Sequence, residues 1–167
     1  MSANDNQNLP DWDLSHLYNG PKDEALKSDL ADADQRAQNF AANHAGKLSG
    51  LSGQDFGTAI QEFEAISEIL QRTMSYGQLL FSTHTSDPDV AQFYQTLQER
   101  VTEISTHTLF FALEINRLED ADLDQKLQSE AAGRYRPWLK EVRQFRPHQL
   151  SDELEKLLHE KSVTGRA

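Results

Sequence analysis

One apolar period constrains this chain more than anything else in it. Val90, Tyr94, Leu97, Val101, Ile104, Phe111, Ile115 and Leu118 recur at alternating steps of four and three, and Thr108 fills the vacant slot with its methyl group. That spacing keeps one seam of an α-helix turned toward a partner along its whole length. A broader stripe precedes it: Phe56, Ile60, Phe63, Leu70, Met74 and Phe81, with Ile66, Ile69 and Leu80 beside it. Ser86-Asp87-Pro88 separates the two. Asp87 can accept hydrogen bonds from the first free amides of the second helix, and Pro88 suits the first helical position, where a missing N–H is no loss. Residues 54–118 are therefore expected to form a hairpin of two long helices. A helix of ~30 residues is ~45 Å long.

The rest of the chain reads as helical too. Residues 1–8 are polar and aperiodic and are expected to form a disordered tail, with one helical domain over 9–167. Pro10 excludes an ordinary helix interior around Leu9-Pro10-Asp11-Trp12. An extended arm with one helical turn is expected there, anchored on the body by Trp12. Asn19-Gly20-Pro21 marks a turn. Leu26, Leu30, Ala33, Ala37 and Phe40 then give a first long helix over about 22–43, whose small residues allow close approach. Residues 46–53 hold three glycines and two serines, so a loop is expected, with Ser52 or Gly53 capping the next helix. Gly77 interrupts the first arm of the hairpin, which points to close helix contact or a local kink. Shorter helices follow: one from Asp120, one carrying Trp138, Leu139, Val142 and Phe145, and one after Ser151 carrying Leu154, Leu157 and Leu158. No sustained alternation or β-branched run suggests a strand. The predicted fold is all-α, an elongated bundle of antiparallel long helices with shorter C-terminal ones.

Composition narrows the function classes. The 167 residues include no cysteine, which excludes disulfides, thiolate catalysis and zinc–cysteine sites. The longest apolar run, Leu109 to Leu113, is far below the ~20 residues of a membrane span. The start is polar and acidic rather than signal-like. A soluble cytoplasmic protein without a membrane partner is expected. Net charge is −11, unevenly spread. Residues 1–130 hold 8 basic and 22 acidic side chains, whereas residues 131–167 hold 8 and 5. The acidic body is a poor ligand for a phosphate backbone; it reads either as solvated helix faces or as a surface for a basic partner. Arg134, Arg136, Lys140, Arg143 and Arg146 surround Tyr135, Trp138 and Phe145. Such a mixture can bind nucleic acid, or its aromatics can enter the core while its arginines pair with the acidic body. The acidic surroundings favour the second reading, and no nucleic-acid partner is expected.

Catalytic motifs are missing. The six histidines are scattered, and no two are four residues apart. His159-Glu160 opens like a zinc motif, but Val163 holds the place of the second histidine. His107 with Glu103 and Glu114 lies among crowded apolar residues. Asp120, Asp122 and Asp124 imitate half a calcium loop, yet Gln125 and Ala131 occupy the positions of its glycine and closing glutamate.

The most specific stretch runs from Arg134 to Ala167. Tyr135-Arg136-Pro137-Trp138-Leu139, Arg146-Pro147-His148-Gln149-Leu150-Ser151, Glu155-Lys156-Leu157-Leu158 and Glu160-Lys161-Ser162-Val163-Thr164-Gly165-Arg166-Ala167 resemble the bacterial oligoendopeptidase F family, thimet-oligopeptidase-like zinc metallopeptidases. Leu9-Pro10-Asp11-Trp12-Asp13-Leu14-Ser15-His16-Leu17-Tyr18 is similar to the family's opening. Ser75 to Leu80 and Leu109-Phe110-Phe111 are compatible but less specific. The resemblance implies the N-terminal helical lobe of a much longer enzyme that hydrolyses short peptides in a deep channel. The zinc belongs to the parent's catalytic domain, on a His-Glu-x-x-His helix with a further glutamate ligand. No such residues are found here, so the resemblance implies no catalytic residue and no metal ligand in this chain. It implies short peptides as substrates of the parent and the missing catalytic domain as a partner in cis. Candidate docking residues for that domain are Trp12, Arg136, Trp138, Arg143, Ser162 and Thr164. The polar face of the hairpin would meet a passing peptide. The alternative is a stand-alone helical protein-interaction module, and on either view the isolated lobe could dimerise through an uncovered apolar patch.

Overall fold

A computed structural model describes residues 12–163. The tail expected over 1–8, and Thr164, lie outside them. Eight helices make up the described residues: α1 (Glu24–His44), α2 (Gly53–Thr83), α3 (Pro88–Thr106), α4 (Leu109–Arg117), α5 (Asp120–Lys126), α6 (Glu130–Gly133), α7 (Arg136–Gln144) and α8 (Asp152–Lys161). Two short 3₁₀ turns lie at Leu48–Gly50 and Arg146–His148, and no strand occurs among the described residues. The protein is all-α.

Local chemistry starts the long helices where the residue types predict. Ser52 caps α2 by accepting the Asp55 amide at 3.1 Å. Asp87 accepts the amides of Asp89 and Val90 at the head of α3, where Pro88 is the first residue. Asp23 caps α1 through the Ala25 amide.

α1, α2 and α3 pack against one another, with α2 antiparallel to both neighbours. Phe40 near the end of α1 meets Phe63 in the first half of α2, while Tyr76 in its second half meets Phe93 near the start of α3. The 31 residues of α2 make it the spine, about 46 Å long at ~1.5 Å per residue. Ala33 and Ala37 are completely buried, as expected of a small-residue stripe in close contact. Gly77 also serves close contact: a Cβ there would lie 2.6 Å from the Leu97 side-chain tip on α3.

The second arm of the hairpin is broken. α3 stops at Thr106 and α4 begins at Leu109, where the apolar period predicts one continuous helix. The amides of His107 and Thr108 bond three residues back, to Ile104 and Ser105. The hydroxyls of Ser105, Thr106 and Thr108 donate to the carbonyls of Thr102, Thr102 and Ser105. Hydroxyl back-bonding of this kind bends helices, and three such residues fall between 105 and 108.

The break lets α4 enter an aromatic centre. Phe111 lies 5.0 Å from Phe40 and 5.1 Å from Phe63, ring centre to ring centre. Trp138 of α7 adds to the same cluster at 5.8 Å from Phe63. The C-terminal third is thereby built into the core of the hairpin. α6 crosses α2 at Gly57, where an added Cβ would lie 2.4 Å from the Ala131 carbonyl carbon. Lys126, 5 % exposed, donates to the carbonyls of Ser49 and Leu51 at 2.9 and 2.6 Å and ties α5 to the loop before α2.

The N-terminal arm is seated differently from expectation. One turn does form, with the Leu17 and Tyr18 amides bonded to the Leu14 carbonyl. Trp12, however, is 63 % exposed, and the buried anchor is Tyr18. Its ring meets Tyr76 edge-on, its hydroxyl donates to Asp29 at 2.6 Å, and Arg72 bonds both. Burial, reinforced by the Asp29 carboxylate, pushes the Tyr18 phenol above its ordinary pKa. Tyr18 wins the site because its polar tip finds partners inside, which the more exposed Trp12 does not need.

Candidate functional site

Two surface features stand out. The first is an open cleft of about 730 Å³ between α2 and α7. One wall is the polar stripe Gln61, Glu64, Glu68 and Gln71, at steps of three, four and three along α2. The other wall is Tyr135 and Trp138. Tyr135 donates its hydroxyl to Glu64 at 2.9 Å, and the Arg134 guanidinium lies 4.5 Å above the Tyr135 ring. An aromatic wall facing carboxylates and amides suits an extended polypeptide, with stacking for apolar groups and acceptors for N–H and cationic groups.

The second feature is apolar. Phe145 is 70 % exposed, and Leu150, Leu154, Leu157 and Leu158 are 47–56 % exposed. Phe145, Leu150 and Leu158 border a groove of about 570 Å³ among α4, α7 and α8, which Trp138 also lines. α8 turns its leucines outward. Its half-buried side chains are Glu155 and His159, and His159 bonds the Ser105 hydroxyl at 2.8 Å. The carbonyl oxygens of Asn116 and Gln149 are buried at this groove without a donor among the described residues.

The candidate docking residues come from separate parts of the chain. Arg136, Trp138 and Arg143 belong to α7; Trp12 precedes α1 and Ser162 ends α8. Trp138 is half-buried against Phe63 and bridges the cleft and the groove. Arg136 reaches the Leu127 carbonyl at 3.5 Å. Arg143 is committed internally: it donates to the last carbonyls of α4, Ile115 at 2.8 Å and Leu118 at 3.0 Å, and pairs with Asp120. Ser162 donates to the His159 carbonyl at 2.7 Å, a local closure of α8. Thr164 lies outside the described residues.

The basic segment divides as the acidic surroundings suggest. Arg143 and Arg146 both pair with Asp120, and Leu139 and Trp138 pack inward. Phe145 does not, because α7 ends at Gln144 and the following 3₁₀ turn carries its ring outward. The cleft stripe had a legible signal in its spacing on α2. The outward leucines had none, since an amphipathic helix does not state which face meets the body.

No group of three or more His, Asp or Glu able to hold a metal occurs among the described residues. The described side chains therefore offer no ligand set for a zinc ion. No helix among them is long and apolar enough to cross a membrane.

Comparison with known proteins adds one match. Residues 114–167 match the peptidase M3 N-terminal family, described as Oligopeptidase F. No curated protein and no solved structure matches the chain. The matched segment runs from within α4 through α8 and includes Trp138 and the outward leucines. The match supports an N-terminal region of the oligoendopeptidase F family.

Proposed function

We propose that this chain, as an N-terminal region of the oligoendopeptidase F family, is the non-catalytic helical lobe of a cytoplasmic zinc metalloendopeptidase that hydrolyses short peptides. The family match over 114–167 carries the proposal. The lobe bounds the substrate channel, and chemistry belongs to the parent's catalytic domain. The cleft between α2 and α7 supports this role, because its polar stripe and its Tyr135–Trp138 wall offer an extended peptide both acceptors and apolar contact. Arg136 and Trp138 on α7, with Trp12 and Ser162, remain the residues through which the lobe would meet that domain.

Purified 1–167 is expected to leave a quenched fluorescent peptide uncut with or without added zinc. Zinc-dependent cleavage would overturn the assignment. Reading the gene in frame past codon 167 tests the parent directly, with a His-Glu-x-x-His helix expected downstream. A stop codon there would instead favour a stand-alone helical interaction module, the reading that the outward leucines of α8 support.

A further inference from the structure

We infer that the cleft between α2 and α7 is a cation subsite, which seats an arginine or lysine side chain of a bound peptide against its aromatic wall and the carboxylates of Glu64 and Glu68. This rests on the reading that the cleft receives an extended peptide, and it adds which side chain the cleft selects.

The polar wall is short and acidic. From Gln61 to Gln71 the stripe runs about 15 Å at ~1.5 Å per residue, room for about four extended residues. Glu64 and Glu68 stand one helical turn apart on it, both exposed, and like charges at that spacing repel. No basic side chain lines the cleft. Arg72, farther along the same helix, is engaged by Tyr18 and Asp29. Among the described residues Glu64 has only the neutral Tyr135 hydroxyl, and Glu68 has no hydrogen bond or ion pair. A cationic side chain entering the cleft relieves the repulsion, whereas an acidic one adds to it.

The aromatic wall selects in the same direction. Arg134 makes the contact within the chain itself: its guanidinium lies over the Tyr135 ring and bonds the Tyr135 hydroxyl, which in turn donates to Glu64. That leaves Glu68 as the carboxylate free for a ligand. Trp138, the other aromatic of the wall, carries no cation on its ring among the described residues. Indole is the aromatic that attracts cations most strongly. The aliphatic stem of an arginine or lysine suits the apolar Phe63 and Trp138 beside it, with the charged head left to the carboxylates.

Nuclear magnetic resonance titration of isotope-labelled 1–167 tests this. The probes are short peptides with blocked ends that differ only at the central residue: arginine, citrulline (its uncharged isostere) or glutamate. The arginine peptide is expected to bind at least about fivefold more tightly than the citrulline peptide, with the glutamate peptide weakest. It should shift the amides of Glu64 and Glu68 and the indole N–H of Trp138. Glu68→Gln, at an exposed position, should keep the dispersion of the spectrum and cut the arginine preference to within about twofold. Equal binding of the arginine and citrulline peptides at these resonances overturns the inference and leaves the peptide cleft standing. A preference that Glu68→Gln does not diminish, or shifts that fall elsewhere on the protein, overturns it as well. Binding of none of the three overturns it together with the peptide role of the cleft.

Discussion

Two glycines on α2 face opposite demands. At Gly57 the added Cβ would strike the backbone of Ala131 and Ala132, which cannot move without displacing α6. At Gly77 it would strike the tip of Leu97, a flexible side chain. Gly57→Ala is therefore expected to destabilise by about 1–3 kcal/mol, as overpacking does. Gly77→Ala should be within about 1 kcal/mol of neutral, because relief of glycine's helix cost offsets the shift of Leu97. Urea unfolding of the two variants beside wild type checks the contrast. Lys126 makes a second residue-scale case. Lys126→Met removes the donor from two carbonyls of the 48–51 turn and is expected to cost about 1–3 kcal/mol in the same assay.

Among the elements, the N-terminal arm gives the clearest test. Tyr18→Ala empties a buried aromatic site and removes the hydroxyl from Asp29 and Arg72, for an expected loss of about 3 kcal/mol. Trp12→Ala should change stability by less than about 0.5 kcal/mol. Differential scanning calorimetry distinguishes the two. The arm also shows what the sequence makes legible. Its single turn, the caps at Asp23, Ser52 and Asp87, and the hairpin register all follow from local chemistry or periodicity. Which aromatic is buried does not, because that depends on Asp29 and Arg72, which are distant in sequence. The α3–α4 break is intermediate. Ser105, Thr106 and Thr108 supply the hydroxyls that bend the helix, but the apolar period that runs across them predicts a continuous one. Of the cleft, the α2 stripe can be read from spacing, while the Tyr135–Trp138 wall arises only when α7 packs on α2.

For the molecule as a whole, acid sensitivity has a defined source. Burial works to raise the Asp34 carboxyl, but hydrogen bonds from Gln38 and Arg100 outweigh it and hold the group below its ordinary value. The Arg100–Asp34 pair, at 2.6 Å, joins α3 to α1. A carboxyl lowered by folding stabilises the folded state above its unfolded pKa, and the contribution is lost as pH falls through the folded pKa. Asp34→Asn is expected to cost about 0.5–1 kcal/mol at pH 7. The difference from wild type should begin to shrink below about pH 4 and disappear only once pH has fallen through the lowered folded value, as thermal melts across pH would show. The same scale bears on the family match. Its boundary at residue 114 cuts through α4, and Phe40, Phe56, Phe63 and Phe111 lie on the other side of it. The matched segment is a stretch of sequence rather than a folding unit, and residues 114–167 alone are expected to show little helix by circular dichroism.

α8 has a kinetic consequence. It meets the body with Glu155 and His159 instead of its leucines, and the acceptors of Asn116 and Gln149 near it lack donors. Little apolar burial and such orphaned acceptors leave a helix with a low free energy of local opening. Its amides should exchange with deuterium long before those of α2.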